Sequence, residues 1–370
     1  MILGVSAEQE ELRASVRRFL ADRAPMSRVR ELMDDGETDW TVWEQAGSQL
    51  GLQGLAIPES YGGAGFSFAE QAVVLEEFGA ALYGGPYLAS AVLAATALLA
   101  SPDEGARSGL LPDIASGQTV ATLAFTEDGG SWDPAAIRLS AVKDGEAWRL
   151  DGHKSFVLDG ATAGLILVVA TTDAGLSLFA VEGDADGLSR AALPALDQTR
   201  QLARLEFAGV TGRLIGSPGD GAAALERALD VAAIALGAEQ LGGAQRALDM
   251  AVEYAKVRRQ FDRPIGSFQA IKHRCADLLL EVESLRSAVG YAAAAVAEDS
   301  AEIPVLASLV KAYASETYFH VAAENIQIHG GIGFTWEHDA HLYFKRAKAS
   351  ELFLGDGAYH RERLANRIGL

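Results

Sequence analysis

RRQFDRPIGSFQ, Arg258 to Gln269, and QIHGGIGFTW, Gln327 to Trp336, are glycine-anchored breaks in an otherwise helical last third of the chain. Outward from them, apolar residues recur at helical spacing over Ala222 to Lys256, Gln269 to Ala297, Val305 to His329 and Asp339 to Leu352. Four long helices in succession predict an antiparallel bundle. The breaks supply a guanidinium at Arg258, carboxamides at Gln269 and Gln327, and bare backbone at Gly330 and Gly331. Such groups suit a phosphate-bearing cofactor, because a guanidinium pairs with diphosphate oxygens and glycines let backbone amides approach closely.

Before Gly221 the periodicity differs. Val120 to Phe125, Ala147 to Leu150, Leu165 to Ala170, Leu176 to Val181 and Leu202 to Phe207 are short β-prone runs between Gly, Asp and Pro turns. The first 118 residues are mostly helical. Ser6 with Gln9 at capping-box spacing opens an amphipathic helix, and further helical patterns occupy Asp39 to Leu50, Ser67 to Phe78 and Pro86 to Ala100. The expected fold is therefore α+β, with a helical domain over 1–118, a central β domain over 119–215 and a helical bundle over 216–370. This order argues against a doubly wound nucleotide fold, which alternates strands and helices through a parallel sheet. GSPGDG, Gly216 to Gly221, is accordingly read as a strand-to-helix connection and not as a phosphate loop.

With 370 residues and 49% hydrophobic content the chain can bury a sizeable core. Acidic residues exceed basic ones by 50 to 31, and no basic block offers a nucleic-acid surface. Cys275 is the only cysteine, which fits a reducing, cytoplasmic compartment and leaves no thiolate cluster for a metal. The most apolar stretch, Tyr87 to Ala100, is shorter than the roughly 20 residues of a membrane-spanning helix, and no secretory leader is expected.

PESYGGAG from Pro58, the TED of Thr126 to Asp128, DGHKSFVLDG from Asp151, AQRALD from Ala244, RRQFDRPIGSFQAIKH and QIHGGIGFTWEH occur in order along the chain. On these markers the chain resembles the acyl-CoA dehydrogenase family over nearly its full length. The resemblance implies FAD-dependent removal of two hydrogens across the α and β carbons of an acyl-CoA thioester. It also implies electron transfer to an electron-transferring flavoprotein, a central β-barrel-like domain followed by a four-helix bundle, and assembly as a homo- or hetero-tetramer with a paralogous subunit. Arg258, Phe261, Gln269, Gln327, Gly330 and Gly331 match positions that hold the adenosine and diphosphate end of FAD, bound mainly by a neighbouring subunit. Thr126 and Phe156 match positions at the flavin ring. There the pattern departs: Trp132 stands where a small residue is usual, and Leu158 replaces a hydroxyl residue.

The family's base is a glutamate at one of two places, and those places match Leu354 and the Ala232–Ala233 pair. None of these accepts a proton. Glu239 lies seven residues after Ala232, about 20° round the helix and roughly 10.5 Å along it. A lone Glu in so apolar a run is costly to bury unless paired or protonated, so it is a candidate for structure, substrate contact or proton abstraction. Asp356 is a second candidate base, with local capping as its alternative, and His329 is read as a packing histidine. The competing functions are a subunit whose partner supplies the base, a self-sufficient enzyme using Glu239, a non-enzymatic acyl-CoA or FAD-binding scaffold, and flavin-dependent oxygenation.

Overall fold

The computed structural model describes residues 6–370. They form two compact units, one of residues up to Glu31 with Phe68–Tyr83 and Ala233–Leu370, the other of Leu32–Ser67 and Gly84–Ala232. In chain order the helices are α1 (Ala7–Arg23), α2 (Met26–Asp35), α3 (Trp40–Leu50), α4 (Phe68–Ala81), α5 (Ala95–Ala100, continuing a π-helical turn over Leu88–Ala94) and α6 (Glu104–Ala115). Seven strands follow: β1 (Ala121–Ala124), β2 (Ser140–Asp144), β3 (Ala147–Leu158), β4 (Leu165–Thr172), β5 (Gly175–Glu182), β6 (Leu188–Leu193) and β7 (Leu202–Ile215). The chain ends in α7 (Gly221–Val257), the two-residue strands β8 (Arg259–Gln260) and β9 (Arg263–Pro264), α8 (Gln269–Ala297), α9 (Ile303–His329), α10 (Ala340–Leu352) and α11 (Gly357–Arg367).

In the strand-bearing unit, β4, β2, β3, β7 and β5 are bonded in that order and β5 returns to β4, closing the sheet into a barrel. Closure removes the free edges of these five strands, which would otherwise expose unpaired backbone groups. Leu150, Ile166, Val168, Phe179, Leu205 and Val210 fill the interior with no exposed surface. β1 adds in parallel to β4 and β6 antiparallel to β7. The sequence pattern missed β2 and β6, and the reason is visible in their burial: β2 turns only one residue inward and β6 none fully, so neither alternates. β3 runs eight residues past the expected end at Leu150 because Gly152, at φ +134°, carries the strand through Asp151-Gly152 instead of turning. The 216–221 segment is a strand-to-helix connection, with Gly216 N donating to Asp103 Oδ2 and Ser217 N to Asp220 Oδ2.

In the other unit, α9 packs on α8, α10 and α11, and α4 packs on α1 and α8. α7 and α4 touch backbone to backbone: a Cβ on Gly79 would stand 1.9 Å from Glu239 O, and one on Gly242 1.7 Å from Glu76 O. α1 carries the expected capping box, Ser6 Oγ accepting from Gln9 N and Gln9 Oε1 accepting from Ser6 N. α2, α6 and α11 were not read from the sequence. α11 is polar, with only Gly357 and His360 buried. No helix among the described residues is long and apolar enough to cross a membrane.

Candidate functional site

At one end of the bundle the two glycine-anchored segments are packed together. Ala251, Ala255 and Ile328 form a small core against Tyr254, Ile265, Ile271 and Cys275, which joins the end of α7, the start of α8 and the end of α9. The rings of Tyr254 and His329 stack at 4.3 Å between centroids, and His329 meets His338 at 4.3 Å. His329 Nδ1 lies 2.8 Å from Asn325 O, and burial lowers its pKa, helped by neighbouring His338. The imidazole is a packing group, as its sequence context predicts.

Arg258 leads into a hairpin in which Arg259 pairs with Pro264 and Gln260 with Arg263. Its two central residues, Phe261 and Asp262, both have positive φ, 49° and 62°. That is the backbone of a tight primed turn, which glycine or asparagine usually supplies. Phenylalanine in this region is strained, and its ring is 87% exposed, meeting Phe268 edge-on at 6.1 Å. Arg258, Gln269, Gln327, Gly330 and Gly331 are exposed too. Gly330 caps α9 at φ +65°, and a Cβ on Gly330 or Gly331 would meet nothing within 4 Å. The six residues thus offer one cation, two carboxamides, an aromatic face and open backbone on the surface. That chemistry fits the phosphate and adenine groups of a dinucleotide.

Thr126 and Phe156, the two residues expected at a flavin ring, lie in the strand-bearing unit. Thr126 is buried and its Oγ1 has no hydrogen-bond partner, while its carbonyl accepts from Ser155 N at 2.9 Å. An orphaned buried hydroxyl is what a site awaiting a polar ligand atom presents. Phe156, at φ +58° and 37% exposed, stands over the loop after Thr126, near enough for a Cβ on Gly130 to meet its Cε2 at 3.9 Å. Leu158 is buried, its carbonyl accepting from Thr122 Oγ1 at 2.6 Å. Trp132 packs on Phe125 with centroids 5.9 Å apart.

Three supports here stand within the marker segments but had no role assigned from the sequence. Lys154, fully buried, donates to Phe125 O (3.0 Å) and Glu127 Oε1 (2.9 Å); burial pulls it down to about 8, against the opposing pull of Glu127. Glu127 also accepts from the backbone N–H of Arg138 and Leu139. Asp128 accepts from Ser155 Oγ and from Arg204 Nε and Nη2, and these bonds, Arg204's foremost, hold it down to about 2. A lysine inside the strand pattern of HKSFVL was the one available signal, since an isolated charge at a core position needs a partner.

The turn that should carry a base carries Leu354, buried and at φ +61°. It is clamped from both sides. Lys311 Nζ donates to Gly355 O (2.8 Å), Ser315 Oγ (2.9 Å) and Glu351 O (3.0 Å), and His360 Nε2 donates to Leu354 O (2.9 Å). Burial pulls Lys311 down to about 7, opposed by Glu351 and Asp356, and pulls His360 down to about 4. Asp356 caps α11, its Oδ1 accepting from Tyr359 N at 2.8 Å. Glu239 is in a buried ion pair: its Oε1 accepts from Arg346 Nη1 at 2.8 Å, with the side chains 7% and 1% exposed. Both carboxylates named as candidate bases are thus engaged in structure.

Residues 6–118 match the acyl-CoA dehydrogenase N-terminal domain, 122–210 its middle domain and 219–369 its C-terminal domain. The chain is 37% identical to acyl-CoA dehydrogenase IpdE2 of Mycobacterium tuberculosis over 348 residues, covering 94% of this chain and 93% of that relative. Among solved structures, the ChsE4-ChsE5 complex from Mycobacterium tuberculosis aligns with TM-score 0.91 and 31% identity over 100% of this chain and 99% of that one. A variant of a steroid ACAD aligns with TM-score 0.89 and 35% identity over 99% and 98%.

Proposed function

Because this chain belongs to the acyl-CoA dehydrogenase family, we propose that it works as one subunit of an assembly in which a paralogous partner supplies the base. Its reaction is FAD-dependent dehydrogenation of an acyl-CoA thioester. FAD, when bound, supplies the acceptor for the hydride leaving the β carbon. This chain's part is to bind and orient. Arg258, Gln269 and Gln327 would hold the dinucleotide of an FAD bound mainly by the neighbouring subunit, with Phe261 against the adenine and Gly330 and Gly331 leaving room for the diphosphate, while the barrel faces a separate flavin. Thr126 Oγ1 would hydrogen-bond a polar flavin atom, and Phe156 would cover the ring.

The single observation that carries the division of labour is Leu354. A base must be an uncommitted carboxylate with tuned pKa. The turn offers a buried leucine, Asp356 is occupied as a cap, and Glu239 neutralises Arg346. A chain that keeps an exposed dinucleotide clamp without a base suits an assembly in which clamp and base come from different subunits. The ChsE4-ChsE5 structure is, by its name, a complex of two components, which supports that arrangement here.

We propose further that the assembly is a hetero-tetramer, that electrons pass to an electron-transferring flavoprotein, and that the setting is the cytoplasm. As working segments, 1–118, 119–215 and 216–370 divide the chain into helical, β and bundle parts. A steroid-derived acyl group is the substrate class to test first, given the steroid ACAD relative. The decisive experiment purifies the chain alone and with the co-purifying paralogue, and follows acyl-CoA-dependent reduction of a dye. Turnover only in the pair is expected; turnover by the chain alone overturns the reading.

A further inference from the structure

β3 and β7 pair in register up to Lys154 opposite Leu205 and resume at Val157 opposite Ala203. Two residues, Ser155 and Phe156, therefore face one, Arg204, across the ladder. That is a β-bulge, a device that bends a strand and re-aims a side chain. Phe156 leaves it at φ +58°, a conformation its side chain resists, so something must hold it there.

The restraint is a chain of charged contacts that begins at the residue opposite the bulge. Arg204 Nε and Nη2 each reach an Asp128 carboxylate oxygen at 3.0 Å, and Asp128 Oδ1 accepts from Ser155 Oγ, the first bulged residue. His153 Nε2 adds a contact to Asp128 Oδ2 at 3.2 Å, and Arg204 Nη1 also reaches Glu206 Oε1. The loop between Thr126 and Gly130 is thereby tied to both strands of the bulge, and Phe156 lies against Gly130 at its far side.

On the reading that this barrel holds the flavin ring, we propose that Arg204 and Asp128 are positioning residues: they lock the bulge that sets the direction of the Phe156 ring and, with it, the ring-binding face. Neither touches the reacting atoms. They fix the loop end carrying Thr126 and the strand end carrying Phe156 in one geometry, which lowers the ordering cost when a planar ligand enters.

The test uses the assembled protein stripped of cofactor and titrated with FAD, with flavin fluorescence and visible absorption as readouts. In the wild type, quenched flavin fluorescence reports the ring packed against an aromatic side chain. Arg204→Met should weaken FAD binding by about tenfold and restore part of the fluorescence, while Arg204→Lys, which keeps one contact, falls between. Asp128→Asn should resemble the methionine variant. Because the Arg204 side chain is 30% exposed and outside the barrel core, circular dichroism and melting should stay near wild type; a variant that melts early is judged on the Arg204→Lys and Asp128→Asn titrations instead. Unchanged fluorescence and affinity in all three variants overturns the positioning role alone. A wild-type assembly that binds FAD with unquenched fluorescence overturns the flavin-ring reading as well, so the two failures are distinguishable.

Discussion

Replacing Glu239 by glutamine separates a structural carboxylate from a catalytic one. Glu239 and Arg346 are joined at 2.8 Å with side chains 7% and 1% exposed. At an effective dielectric constant near 20, unit charges about 4 Å apart attract by about 4 kcal/mol. A glutamine oxygen keeps a neutral acceptor worth about 1 kcal/mol, so Glu239→Gln should cost about 3 kcal/mol, the low end for stripping one partner from a buried pair. The assay is the urea-unfolding midpoint of the assembled protein, followed by dye-coupled turnover per folded, flavin-loaded assembly. The midpoint should fall while turnover stays within about threefold. Glu239→Leu combined with Arg346→Met should recover much of the lost stability, because no charge is then left buried. A glutamine variant with the wild-type midpoint and turnover reduced by more than about 100-fold would refute the argument and make Glu239 the base.

Three other predictions follow from the same geometry. His360 is held near 4, below its ordinary value of 6.5. The unfolded chain therefore takes up a proton first as pH falls, so stability is lost between about pH 6.5 and pH 4 and levels off below, by at most about 3 kcal/mol. His360→Gln, which keeps a donor for Leu354 O, should flatten that part of the urea-midpoint profile, and an unaltered slope would assign the acid sensitivity elsewhere. Gly79→Ala places a methyl 1.9 Å from Glu239 O, and should lower the melting temperature through a forced shift of α4 worth about 1–3 kcal/mol or more; a neutral result would mean that the helices part freely. Arg258→Ala should release FAD from the assembly about 10- to 100-fold more readily, as for a lost charge-assisted bond, without changing the stability of the isolated chain. Full cofactor retention on gel filtration would remove Arg258 from the clamp.

Helix periodicity located α7 to α10 to within a few residues, because each is long enough for its buried face to repeat many times. It missed α2, α6 and α11, and the strand alternation missed β2 and β6, where few residues turn inward. The residues proposed for the clamp were nameable because RRQFDRPIGSFQ and QIHGGIGFTW are contiguous, and contiguity is what a linear reading detects. Their surface exposure was not, nor was the positive-φ turn that pushes Phe261 outward, since a Phe-Asp pair gives no turn signal of its own.

The absence of a carboxylate at 354 could be read from the letters alone. What fills the place of that chemistry could not. Arg346 is 107 residues from Glu239, and Lys311 is 44 from Gly355, so the charges that commit or clamp these groups arrive only when α7, α9 and α10 pack. Likewise Asp128 and Arg204 are 76 residues apart and meet only because β3 pairs with β7 and the loop after Thr126 docks on β3. Residue order dictates what a segment can form, since propensity and periodicity are local. Which carboxylate is free to act is decided by burial and pairing between distant segments, quantities that do not exist until the chain has folded.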